Sequence, residues 1–280
     1  MGELDGKLCL VTGANSGIGL VTARELARKG GDLILACRRR EQGEAAAREI
    51  ESAVGRRPLA LLVADFASLA EVRRLAEQIR SIGRPLDVLV NNAGLMLTER
   101  RVTADGFETT FAVNHLAPFL LTHLLRGVLA RDGRIVNVAS RAHKRATLDF
   151  DDLQSERSFD GWGAYCRSKL CNLLFNAELA RRLGSGGVTA NCLHPGVVAT
   201  GFGRESGGLW RIALRLGRPF MISAEKGAET SIYLASSPAV RGVTGRYFAK
   251  CQPTEPSRAA SDPAAAVRLW ETSERMVGIA

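Results

Sequence analysis

Apolar runs of strand length alternate with amphipathic helical stretches along most of this chain, and that alternation limits the fold more than any other feature. Residues 8–11, 33–37, 59–64, 87–90, 134–139, 188–193 and 245–249 are short apolar runs bounded by turn residues, as buried strands are. Between them, 18–29, 41–54, 69–82, 105–130, 161–183 and 224–235 carry helical periodicity, and a last helix is expected at 264–276. In 69–82, Leu69, Val72, Leu75, Ala76 and Ile79 share one face. Near-continuous apolar strands are covered on both sides. The pattern therefore predicts an α/β, doubly wound parallel sheet of about seven strands in one domain, with helices on both faces. Pro118, inside the 105–130 stretch, predicts a kink. The segment 141–160 is polar and loop-like, and 197–223 reads as an insertion with a short helix, placed to serve as a lid.

The first strand runs into Thr12-Gly13-Ala14-Asn15-Ser16-Gly17-Ile18-Gly19, where the first helix starts. A helix N-terminus carries unpaired N–H groups and a partial positive charge, and glycines let a phosphate come close to the backbone. Taken alone, the stretch fits a tight turn without a ligand equally well. Its Gly-x-x-x-Gly-x-Gly spacing also differs from the more usual Gly-x-Gly-x-x-Gly.

With 280 residues the chain can bury a large core, and it has no apolar run of about 18 residues that would span a membrane. The polar start, residues 1–6, predicts no signal peptide. The six cysteines, at 9, 37, 166, 171, 192 and 251, form no Cys-x-x-Cys pair; reduced thiols in a cytoplasm are expected. Lys plus Arg outnumber Asp plus Glu, 38 to 29, a formal net charge of +9. An anionic ligand or an anionic surface fits that balance. Nucleic acid does not, because the basic residues are dispersed and few aromatics lie among them.

Tyr165 and Lys169 are four apart in a helical stretch and so share a face. A neighbouring ammonium favours the phenolate and suits the pair to proton transfer at an alcohol oxygen. Five further groups fall at the carboxyl ends of expected strands, where an open parallel sheet binds ligands: the glycine turn, Arg38, Asp65, Asn92 and Ser140.

Thr12-Gly13-x-x-x-Gly17-Ile18-Gly19, Asn91-Asn92-Ala93-Gly94, Asn114, Ser140, Tyr165-x-x-x-Lys169 and Pro195-Gly196 resemble the short-chain dehydrogenase/reductase family over about residues 5–250. Ala36-Cys37-Arg38, Asn15-Ser16-Gly17 and His194-Pro195-Gly196 further resemble its retinol dehydrogenase-like branch. The resemblance implies a Rossmann-type fold, a nicotinamide cofactor and interconversion of an alcohol and a carbonyl. It implies that Tyr165 passes the proton, Lys169 lowers the Tyr165 pKa and holds the ribose, Ser140 bonds the substrate oxygen, and Asn114 orders a water leading from Lys169 to solvent. The implied cofactor contacts in the turn are Gly13, Asn15, Ser16, Gly17, Ile18 and Gly19. Further along they are Arg38, Asp65, Phe66, Asn92, Ala93 and Gly94, then Tyr165, Lys169, Pro195, Gly196, Val198 and Thr200.

The residues also speak to cofactor choice. An acidic side chain after the second strand selects NAD, whereas an arginine there accommodates the 2′-phosphate of NADP. Here Arg38, followed by Arg39 and Arg40, predicts NADP(H), with Ser16 placed to add a hydroxyl.

Two other readings stay open: a reductase of carbon–carbon double bonds on the same scaffold, and a non-catalytic dinucleotide-binding protein. The latter would be expected to lack Tyr165 or Lys169. The four histidines show no metal-ligand spacing. His143 lies near Ser140, but a surface-loop histidine is the favoured reading. Cys166 points off the Tyr165 face, and Phe159 and Trp162 fit a pocket wall and helix packing equally. In 207–220 the apolar Leu209, Ile212, Ala213 and Leu216 oppose Arg211, Arg215 and Arg218. A lid with a solvated basic face is favoured over one that also touches an anionic membrane. A homodimer is compatible with the reading.

Overall fold

The computed structural model describes residues 2–196, 198 and 222–279. Its strands are β1 Leu8–Thr12, β2 Asp32–Cys37, β3 Ala60–Val63, β4 Leu86–Asn91, β5 Leu129–Val138, β6 Thr189–Leu193, β7 Tyr247–Ala249 and β8 Gln252–Pro253. They form one sheet in the order β3-β2-β1-β4-β5-β6-β7-β8, parallel except for the β7–β8 pair. The strand order reverses direction at β1, so β1 and β4 flank the crevice where such sheets bind ligands.

Successive side chains of β1 go to opposite faces. Leu8 and Leu10 join a core with α3 (Leu69–Ser81), α5 (Ala117–Leu125), α6 (Gly161–Leu183) and α8 (Pro263–Val277). Cys9 and Val11 join the opposite core with α1 (Gly17–Arg28), α2 (Arg40–Val54) and α7 (Ala224–Ser236). The helix starts follow local capping chemistry. Ser68 accepts from Glu71 N at 3.3 Å to open α3, and Asp160 accepts from Trp162 N and Gly163 N to open α6.

Three expectations need correction. The stretch 105–130 is not one helix. Pro118 has no N–H, so the Asn114 carbonyl lacks a donor four residues on, and the chain widens into a π turn, Ala112–Leu116, between α4 (Thr109–Phe111) and α5. Its carboxyl end is also strand: after a 3-10 turn, Arg126–Val128, Leu129 pairs with Leu86, and a bulge absorbs the following residues before Arg134 pairs with Val88. Finally, eight strands replace about seven, because Lys250 (φ 50°) and Cys251 (φ 60°) form a tight reversal that returns β8 onto β7. A hairpin turn without glycine leaves little sequence signal.

Only the ends of the insertion 197–223 are described. Val198 and Ile222 meet in a parallel bridge, so these two positions lie side by side. The amphipathic segment 207–220 and Thr200 lie outside the described residues.

Candidate active site

The glycine turn is shaped by close approach. Gly13 (φ 65°) and Gly17 (φ 54°) are left-handed, and a Cβ at Gly19 would overlap the Gly13 carbonyl oxygen and Asn92 Nδ2. The exposed Ser16 caps α1 through an extended backbone with no side-chain hydrogen bond, and the first turn holds no acidic residue. No side chain of that cap or turn competes for the first N–H groups of α1. That arrangement fits a phosphate of a bound dinucleotide. The Asn15 amide bonds instead to Gln42 Oε1, at 3.0 Å.

The loop after β4 hangs from the end of β1. Thr12 Oγ1 accepts from Asn92 N and Ala93 N, both at 3.0 Å, and Asn92 Nδ2 donates to Thr12 O at 2.8 Å. The Asn92 amide is thus committed to the scaffold. In the sequence Thr12 is one residue of the glycine motif, and a hydroxyl-bearing residue at a strand end is the signal of its role. Arg38 is exposed at the carboxyl end of β2. Asp65 follows β3, where its Oδ1 accepts from Ala67 N at 2.9 Å. The Phe66 side chain is buried in the core with α3.

Ser140, Tyr165, Lys169 and Asn114 converge beside this loop. Tyr165 hydrogen-bonds the Ser140 side chain, and the small apolar cluster Met96, Ala142 and Cys166 packs around it. The Trp162 ring lies 5.7 Å from the Tyr165 ring and is 37% exposed, one turn up the helix. Lys169 Nζ donates to Val138 O at 3.1 Å and lies 5.6 Å from the Tyr165 ring centroid. It also faces Gly94, where a Cβ would stand 3.4 Å from Nζ.

The expected lowering of the Tyr165 pKa by Lys169 is not what the fold produces. Burial dominates and pushes the phenol up to about 12, with the Ser140 hydrogen bond pulling the other way. Burial also takes Lys169 down to about 8. Asn114 sits in the π turn. Its Oδ1 accepts from Leu95 N (2.8 Å), and its Nδ2 donates to Leu95 O and Ser168 Oγ, both at 2.9 Å. Both amide protons are spent, so its carbonyl, which Pro118 cannot serve, is the group suited to order a water.

His143 is not a surface histidine. It is fully buried in the 3-10 turn Arg141–Arg145, with Nδ1 2.7 Å from the Ser140 carbonyl and Nε2 accepting from Ser257 N at 3.1 Å. Tyr247 meets its ring edge-on and places its hydroxyl 2.7 Å from His194 Nδ1. His194 leads into Pro195 and Gly196 (φ 93°), where a Cβ would crowd Ile222 at 2.8 Å. Val198 packs against Gly227 at the start of α7. Sequence reasoning gave no signal for Tyr247 or Ser257. Among the described residues, no group of His, Cys, Asp or Glu is arranged to hold a metal.

A doubly wound sheet with a glycine turn at its switch point and a Ser–Tyr–Lys cluster at its strand ends defines a nucleotide-dependent oxidoreductase. The chain belongs to the short-chain dehydrogenase family, whose family model, short chain dehydrogenase, matches residues 7–207. Among curated relatives, retinol dehydrogenase 14 of Homo sapiens is 45% identical over 99% of this chain and 88% of its own length. Among solved structures, an uncharacterised protein from Mycobacterium Paratuberculosis superposes with a TM-score of 0.80 at 35% identity, covering 98% of this chain and 94% of that one. A short-chain dehydrogenase from Burkholderia cenocepacia J2315, in complex with NADP, gives a TM-score of 0.69 at 28% identity over 88% of this chain and 96% of that one.

Proposed function

We propose that this protein interconverts an apolar alcohol and its aldehyde or ketone with NADP(H), in the manner its retinol dehydrogenase relatives are named for. The observation that carries the reading is the contact of Tyr165 with Ser140 beside the buried Lys169, at the strand ends next to the glycine turn. Bound there, the nicotinamide would supply or accept the hydride.

The chain's own residues do the rest. Tyr165, pushed up to about 12, keeps its proton at neutral pH and donates it to a carbonyl oxygen. Ser140 gives that oxygen a second hydrogen bond and steadies the charge that develops on it. Lys169 uses one donor on Val138 and has two others for ribose hydroxyls. Arg38, at the end of β2, meets the 2′-phosphate, and the uncapped first turn of α1 meets the diphosphate. The NADP bound by the Burkholderia relative supports that choice of cofactor. The apolar side chains of Met96, Ala142 and Trp162 packed around Tyr165 support an apolar substrate.

Six free thiols, five of them buried, support a reducing compartment such as the cytoplasm. Among the described residues no helix is long and apolar enough to cross a membrane. For 207–220 a lid with a solvated basic face stays the favoured reading; the alternative, peripheral contact with an anionic membrane, is tested by salt-sensitive sedimentation with anionic liposomes.

The deciding experiment for the reaction follows NADPH oxidation against aldehydes and ketones of graded size, retinal included, with product analysis. An alcohol product is expected. A saturated enone with its carbonyl intact would place the chain among the double-bond reductases.

A further inference from the structure

We propose that His143 is a positioning residue that ties Ser140 to the carboxyl-terminal tail, so that the tail around Ser257 sets the placement of the Ser140 hydroxyl. The inference rests on the reading of Ser140 as the group that bonds the substrate oxygen.

The turn carrying His143 is otherwise basic and exposed: Arg141, Lys144 and Arg145 all face solvent. An imidazole buried in such a turn is costly unless both nitrogens are satisfied. Both are satisfied, and both partners are backbone groups. The Ser140 carbonyl can only accept, so Nδ1 carries the proton; the Ser257 N–H can only donate, so Nε2 carries the lone pair. The ring is a neutral strut of fixed tautomer between two segments far apart in sequence. At one end the Ser140 carbonyl receives both His143 Nδ1 and His143 N (3.2 Å), while Ser140 Oγ accepts from Ala142 N. The peptide that aims the hydroxyl is therefore held by the turn and by the ring together.

At the other end the tail is registered on the sheet. Thr254 N bonds to Tyr247 O at 2.8 Å, and Ser257 caps a short turn, Arg258–Ser261. Tyr247 lies against the His143 ring and reaches His194, just before Pro195 and Gly196. The tail braces the loop after β5 through His143, and β7, on which it is registered, braces the loop after β6 through Tyr247.

The test exploits the backbone at Ser257. Its φ of −71° suits proline, which removes the N–H that His143 accepts. Ser257→Ala keeps that N–H and loses only the hydroxyl cap, so it is the control. Turnover is measured with NADPH and an aldehyde from the graded series, alongside NADPH affinity and Tm. Ser257→Pro is expected to lower kcat by about ten- to a hundredfold relative to Ser257→Ala, with NADPH affinity unchanged.

His143→Asn, which can still donate to Ser140 O, should retain more kcat than His143→Ala. This pair carries the test whether or not the proline is tolerated. Nitrogen NMR of the wild type should show a protonated Nδ1 and an unprotonated Nε2 on His143. Equal kcat for Ser257→Pro and Ser257→Ala, equal losses in both His143 variants that follow Tm, or the opposite tautomer would each overturn the proposal. Ser140→Ala separates the two layers. If it turns over like wild type, the reading of Ser140 itself fails; if it is impaired while the His143 and Ser257 variants are not, only the tie to the tail fails.

Discussion

Thr12 Oγ1 accepts two backbone hydrogen bonds at 3.0 Å, from Asn92 and from Ala93, so the last residue of β1 carries the loop that follows β4. Thr12→Val keeps the shape, leaves the Ala93 N–H unanswered and leaves the Asn92 N–H only the Val90 carbonyl, at 3.1 Å. A loss of about 1–3 kcal/mol in stability is expected, read by denaturant unfolding, together with weaker dinucleotide binding. Thr12→Ser should restore both. A variant as stable as wild type would mean that water replaces the hydroxyl.

Gly19 offers a steric test of the phosphate site. A Cβ there overlaps the Gly13 carbonyl and the Asn92 amide, neither of which is the loose end of a flexible side chain. Gly19→Ala should therefore displace the turn and abolish NADPH binding in titrations. Gly55, whose Cβ would meet nothing within 4 Å, is a control for glycine replacement in general, although its φ of 72° predicts a small cost in Tm.

Tyr165→Phe removes the proton donor and keeps the ring against Trp162. A fall in kcat of roughly 10²–10⁴-fold with NADPH affinity retained is expected. Near-normal turnover would sink the proposed chemistry. Lys169→Met should also weaken NADPH binding, since the ammonium is assigned a second task at the ribose.

Arg38→Asp should reverse the cofactor preference. A guanidinium on the 2′-phosphate makes charge-assisted hydrogen bonds whose loss corresponds to roughly ten- to several-hundredfold weaker binding. The measurement is kcat/KM with NADPH and NADH for both proteins. An unchanged ratio would mean that the end of β2 does not read the 2′ position.

The two ionisations define a pH profile. Lys169 is charged below about 8 and Tyr165 holds its proton to about 12, so carbonyl reduction should be level at neutral pH and decline above about 8. Lys169→Arg, charged throughout, should leave whatever activity remains free of that decline. Acid stability follows from the histidines. Burial lowers His115 to about 3 and His194 to about 4 from 6.5, so between pH 6.5 and 4 the unfolded chain binds protons that the folded one does not. Tm should fall as pH drops through that window. A flat Tm there would argue that these rings ionise in place.

Sequence alone determined the alternation of strand and helix, the glycine turn, the Tyr165–Lys169 face and the strand ends bearing Arg38, Asp65, Asn92 and Ser140. These are legible because periodicity, capping and turn chemistry act over a few neighbouring residues. α6 illustrates this: its expected span, 161–183, is the observed Gly161–Leu183, opened by Asp160 and followed by Gly184. Tertiary structure decided what depends on residues distant in the chain. Pairing with Leu86 turned Leu129 from helix to strand, and a glycine-free reversal at Lys250 and Cys251 added β8. Enclosure reversed the expected direction of the Tyr165 pKa, because desolvation in the assembled site outweighs the Ser140 hydrogen bond. His143 shows the same limit most plainly. In sequence it is a polar residue in a basic loop, and only the return of the tail to Ser257 encloses it and gives both its nitrogens a partner.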